Sequence, residues 1–120
     1  MKELMISIAQ SEKTFKALGE SNRLRILKML EIRPLCVCEI TEVLQLATST
    51  VSKHLSILRD AGFIIDHKEG KWINYCLIDT SEEETHLLHR LLSSGLNNDE
   101  TIQHDAEKVR SVDRYKICDV

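Results

Sequence analysis

A chain of 120 residues is long enough for one domain with a modest core, and with aromatics at only 4% that core must be built from Leu, Ile and Val. The formal net charge of −3 excludes a uniformly basic nucleic-acid binder. No run approaches the ~20 apolar residues of a membrane span, and the N-terminus has no signal-peptide apolar core, so the expectation is a cytoplasmic protein with reduced thiols and no membrane partner. The charge is unevenly placed. Lys and Arg outnumber Glu from Met1 to Pro34, whereas Asp and Glu outnumber them from Asp79 onward, which predicts a basic face and an acidic C-terminal part.

Leu4, Ile8, Phe15 and Leu18 keep helical spacing, Met5 and Ile6 widen the stripe, and Gly19 stops the helix. A terminal helix this apolar in so small a chain suggests a partner surface, the plainer reading being core. Ser21 is placed to cap a second helix with Leu24, Leu27 and Leu30 inward and Arg23, Arg25 and Lys28 outside. Pro34 breaks the chain. Leu35 to Leu44 then reads as a short helix with Val37, Ile40 and Leu44 on its inner face.

Gln45-Leu46-Ala47 is too short for anything but a tight turn, and Thr48 is placed to cap the helix that follows. In that helix Val51, Leu55 and Leu58 form one apolar stripe, and Gly62 ends it as a C′ glycine. Off the stripe lie Ser49, Thr50, Ser52, Lys53 and Ser56. No bulk keeps such a face from base edges, and its hydroxyls and ammonium can meet bases and phosphates. A Ser-rich surface helix is the bland alternative. Two short helices around a turn of about three residues make a helix-turn-helix, the second being the recognition helix.

After Gly62 the period changes. Phe63–His67 and Trp72–Ile78 are β-rich, with Glu69-Gly70 as the turn and Lys68 and Lys71 on its flanks. A hairpin directly after a recognition helix is a wing, and these lysines are candidates for phosphate contact. Thr80 or Ser81 can cap a further helix striped by Leu87, Leu88, Leu91 and Leu92 and ended near Gly95. The expected architecture is mostly α with a small β-hairpin, a winged helix-turn-helix of about five to six helices over residues 1–98. Residues 99–120 read as a weakly helical, mobile tail, because Ile102, Ala106, Val109 and Val112 are thin apolar content.

Cys36 and Cys38 carry the distinctive chemistry, since soft thiolates select thiophilic metals and metalloids. On a regular helix, residues i and i+2 point about 200° apart. Sharing one ion is therefore expected to unwind the start of that helix. A helix N-terminus is also expected to lower the thiol pKa. The bland reading is two small buried residues at a helix start.

Leu35-Cys-Val-Cys-Glu-Ile40, Ser49-Thr-Val-Ser-Lys-His-Leu55 with Leu58 and Ala61-Gly62, and the Glu69-Gly70…Tyr75 wing together resemble the ArsR/SmtB family of metal-responsive repressors over residues 10–95. Cys-Val-Cys resembles, more narrowly, the arsenical-resistance repressors. The resemblance implies a winged-helix homodimer, joined through its first and fifth helices. An inducing ion, As(III) or Sb(III), releases it from double-stranded operator DNA, and no resident cofactor is required. The DNA-binding set is then Ser49, Thr50, Ser52, Lys53, His54, Lys68 and Lys71, with His54 either touching phosphate or supporting the recognition helix. In the familiar pattern a third cysteine follows the second by three residues. Here that position is Thr41, so Cys118 on the tail is the candidate third ligand and Cys76 a poor one, with a two-sulfur site completed by water or a small thiol as the alternative. His86 and His89 lack the full zinc set of some relatives, Asn97 standing where a ligand would be. No phosphate-binding glycine loop, zinc-protease pair or nucleophile elbow is present, so no enzyme is expected. The alternatives are a thiol-redox repressor of the same fold and a thiol-metal buffering module that binds no DNA.

Overall fold

The structure, a computed structural model, describes residues 7–78 and 83–117. In chain order the elements are α1 (Ile8–Leu18), α2 (Ser21–Leu30), β1 (Leu35–Cys36), α3 (Val37–Leu44), α4 (Thr48–Asp60), β2 (Ile64–Glu69), β3 (Trp72–Leu77), α5 (Glu83–Ser94), α6 (Glu100–Ser111) and α7 (Arg114–Ile117). The strands form an antiparallel sheet in the order β1-β3-β2. This is the expected winged helix-turn-helix, with one more strand and more helices among the described residues than the sequence suggested. No helix is long and apolar enough to cross a membrane among them.

The core lies where α2, α3 and α4 meet the base of the wing. Ile26, Leu27, Met29, Leu35, Ile40, Val51, Leu55, Leu58, Phe63 and Ile64 are all fully buried there, each worth about 1.5–3 kcal/mol of burial for the larger side chains. Gly62, at φ +85, closes α4 in a Schellman motif: Phe63 N–H reaches Leu58 O and Gly62 N–H reaches Arg59 O. Phe63 then packs into the core and aims the chain into β2. The hairpin turn is Gly70-Lys71, one residue beyond Glu69-Gly70, because Glu69 pairs with Trp72 in the ladder. Gly70 has φ +62, as the first loop residue of a type II′ turn requires.

Several expectations are corrected. Leu35–Cys36 is not helical but pairs with Tyr75 and Asn74 of β3. Glu20, not Ser21, caps α2, its carboxylate accepting from Arg23 N–H. The cations of α2 are not a free basic face. Lys28 is buried, and its ammonium donates to Glu31 Oε1, Leu92 O and Asn97 Oδ1, which uses all three of its hydrogens. Arg25 holds Asp105 through two bonds of 2.8 and 2.9 Å.

That last pair also ties the segment beyond residue 98 to α2. Residues 99–117 hold a twelve-residue helix, α6, capped by Asp99 and packed on α2 and α3. Its apolar content is thin, but Val109 is fully buried and Asp105 is tied to Arg25. Arg33 Nη2 donates to Val109 O and Val112 O at its C-terminal end. The helix is thus held as much by two guanidiniums as by burial. The expected caps at Thr80 or Ser81, the apolar Leu4, Met5 and Ile6, and Cys118 lie outside the described residues.

Candidate DNA-binding face and thiol site

Helix α4 buries Val51, Leu55 and Leu58 and leaves Ser49, Thr50, Ser52 and Lys53 exposed. Thr48 is the first helical residue rather than the cap. The N-cap is Ala47, which offers no side-chain acceptor. The first-turn N–H groups therefore keep their hydrogen-bonding capacity at the positive end of the helix, where an anion is favoured. The preceding turn is tight because Gln45 takes the left-handed conformation, φ 57. Lys68 and Lys71 are exposed at the wing tip.

His54 does not share this outward face. Its side chain is 13% exposed, and Nδ1 lies 3.1 Å from Arg23 Nη1. A guanidinium can only donate, so Nδ1 accepts and the neutral ring carries its proton on Nε2, which faces Glu20 at 3.9 Å. Arg23 also donates to Ala17 O and Lys16 O, at the end of α1. His54 therefore braces the recognition helix against α1 and α2.

Cys36 and Cys38 stand at a change of backbone. Cys36 is the N-cap of α3 with extended dihedrals, φ −89 and ψ 168, whereas Cys38 is already helical. The helical i, i+2 divergence does not apply across this junction, and the sulfurs lie 3.2 Å apart. The expected unwinding is unnecessary: strand β1 has already done it. The thiol pKa is a second correction. Burial pushes the Cys36 thiol up, and the neighbouring Glu39 carboxylate adds to the rise, outweighing the N-terminal end of α3.

Glu39 is the group that sequence reasoning missed. It is 2% exposed, and its Oε1 accepts from Cys36 N–H at 3.0 Å and Arg114 Nη2 at 2.9 Å. Its Oε2 accepts from Arg33 Nη1 at 3.0 Å. Burial alone would raise its pKa, but the Cys36 N–H and the Arg33 guanidinium hold the carboxyl below its usual range. An acid three residues after an N-cap is the capping-box spacing, so the signal was there to be read. Arg114 gave no such signal, lying in the segment taken for a tail.

Among the described residues, no three His, Cys, Asp or Glu side chains come together as a metal cluster. Cys76 sits half-buried on β3 opposite Ile65, two residues along the strand from Asn74, the ladder partner of Cys36. His86 is exposed. His89 is half-buried edge-on to Phe63, and its desolvation lowers its pKa. Thr41 Oγ1, at the position of the familiar third cysteine, is buried with no hydrogen-bond partner among the described residues.

Residues 20–66 match the model of the family described as bacterial regulatory protein, arsR family. The arsenical resistance operon repressor of Escherichia coli K12 is 41% identical over 64 residues, 52% of this chain and 55% of that protein, so the match spans about half its length. The arsenical resistance operon repressor of Bacillus subtilis 168 is 37% identical over 86 residues, 71% of this chain and 76% of that one. The chain belongs to the ArsR family. Its fold agrees with that of a possible ArsR-family regulator. The solution structure of the homodimeric winged helix-turn-helix DNA-binding domain Mb0332 from Mycobacterium bovis superimposes with a TM-score of 0.61 at 25% identity, over 72% of this chain and 78% of that one. Within the ArsR family frame, the Cys36–Cys38 pair thus lies at the β1–α3 junction, immediately before the helix-turn-helix.

Proposed function

We propose that this ArsR-family chain is an arsenite- or antimonite-responsive repressor, which binds double-stranded operator DNA as a homodimer and is released when the metalloid is taken by Cys36, Cys38 and Cys118. The observation that carries the reading is the approach of the two sulfurs to 3.2 Å. With metal–sulfur bonds of about 2.3 Å, that separation subtends roughly 90° at a shared ion. A tetrahedral zinc site would need about 3.8 Å. An angle near 90° suits a pyramidal trivalent centre with a lone pair. Because the Cys36 thiol is held protonated by burial, inducer binding must expel protons and should strengthen as pH rises.

The third sulfur is assigned to Cys118 because the helix leading to it, α7, packs against α3, which bears Cys38. X-ray absorption at the arsenic edge should count three sulfurs in the native complex and two in Cys118→Ser. Three in both would remove Cys118 from the site.

Ser49, Thr50 and Ser52 are assigned to base edges, being exposed at the N-terminal end of α4, and Lys53, Lys68 and Lys71 to phosphate. Of the two readings of His54, support is the one adopted. Lys53→Ala should weaken binding across operators and reduce the salt slope by about one unit. An unchanged slope would count against this docking.

The experiment that tests the whole reading is the mobility of operator DNA with the native protein in reducing buffer. Binding that arsenite reverses is expected. Release by oxidant but not arsenite would make the pair a redox switch, and no specific binding would leave only a thiol buffer.

A further inference from the structure

We propose that Arg114 and Asn74 carry the state of the thiol pair to the wing, so that the inducer acts on the hairpin as well as on α3. This rests on the thiol-sensor reading above and names its path. A single nitrogen, Arg114 Nη2, donates to Glu39 Oε1 at 2.9 Å and to Asn74 Oδ1 at 2.7 Å. The same Glu39 oxygen accepts from Cys36 N–H. Cys36 and Asn74 are also cross-strand partners in the β1–β3 ladder. From Asn74 the run continues: Nδ2 donates to Glu69 Oε2, and Glu69 is the last residue of β2, next to Lys68 and the turn. Opposite Glu69 stands Trp72, with the Arg114 guanidinium 4.9 Å over its ring and Tyr115 edge-on at 4.9 Å.

The hydrogen bonds are therefore continuous from the backbone of the first cysteine to the tip of the wing. Glu39 and Asn74 are 2% and 3% exposed, so water is not at hand to replace a stretched bond. An ion drawn onto both sulfurs shifts the Cys36 backbone or changes the charge beside Glu39. Either disturbs the carboxylate that Arg114 holds. Because Arg114 serves both sides from one nitrogen, Glu39 cannot move far without changing its hold on Asn74. Buried, mutually polarised bonds of this kind favour discrete arrangements over gradual drift.

Trp72 is the only tryptophan in the chain, and it pairs with Glu69 beside the turn, so its emission reads the tip of the wing. The probe is phenylarsine oxide, a trivalent arsenical that closes on a thiol pair, added to the full chain. Protection of Cys36 and Cys38 from alkylation reports occupancy in parallel. The native protein should show protected thiols and a shifted Trp72 emission. Arg114→Gln and Asn74→Ser should keep the protection but lose most of the shift, a several-fold smaller response. Asn74→Ser is needed because Arg114 itself lies on the ring and sets the resting emission. A full shift in both variants, or none in a native protein whose thiols are protected, overturns the relay and leaves the sensor reading standing. Unprotected thiols in the native protein overturn both.

Discussion

Glu39→Ala is expected to lower stability by about 3 kcal/mol, the low end of the cost of breaking a buried ion pair. That is a large part of the 5–15 kcal/mol that holds a domain together. The carboxylate is almost wholly buried and satisfies three donors at once. Its loss strands the Cys36 N–H and leaves two guanidiniums facing each other. The low end applies because Arg33 is about one-third exposed and can turn to water, whereas Arg114, at 14%, is less able to. Glu39→Gln keeps the acceptor for Cys36 and should cost less. The pH dependence has a definite sign. The folded state holds the Glu39 pKa below its unfolded value, so its contribution is full above the ordinary carboxylate range and is lost as pH falls through the folded value. The Gln variant should therefore lose less stability than the native protein on acidification. Urea midpoints measured across that range decide it. An unchanged midpoint in Glu39→Ala would mean that the two arginines do not depend on the acid.

Leu91→Glu is expected to abolish the dimer while leaving the protomer folded. The leucines of α5 divide between two faces: Leu88 and Leu92 pack inward, whereas Leu87 and Leu91 are 50% and 67% exposed. On α1, Ile8 and Phe15 are exposed as well, one heptad apart, so the two helices proposed to pair both present apolar side chains outward. Burying an unpaired carboxylate costs about 3 kcal/mol or more. A twofold axis repeats that cost, for a weakening on the order of 10⁴ in the dimer dissociation constant. Sedimentation of the native and variant chains gives the answer. A folded, dimeric Leu91→Glu would place the interface elsewhere. The two faces also separate roles that the sequence had merged, since Leu88→Glu would strike the protomer core instead.

The helix-turn-helix was legible because its signals are local. A three-residue turn, an i, i+4, i+7 stripe and a C′ glycine each follow from neighbours in the chain. The wing was legible from its change of period, to within one residue at the turn. What the sequence concealed depends on distant partners. Lys28 looks like a surface lysine until Leu92 O and Asn97 are brought to it, and α6 looks weak until Arg25 reaches Asp105. His54, read as either a phosphate contact or a support for the recognition helix, turns inward because Arg23 arrives from another helix. At the thiol site the chemistry was readable but its geometry was not. Treating Leu35–Leu44 as one helix set the sulfurs apart, when pairing of Cys36 with β3 holds it extended and brings them together.

The central claim is that these two thiols convert inducer binding into release of DNA. Cys36→Ser and Cys38→Ser fill nearly the same space but offer an oxygen that holds a thiophilic ion poorly. The decisive measurement is arsenite titration of the protein–operator complex, in reducing buffer, for the native chain and both variants. The native complex should dissociate, while each variant should bind the operator as tightly as native protein and stay bound throughout the titration. Release of Cys38→Ser at the same arsenite concentration as the native protein would contradict the account.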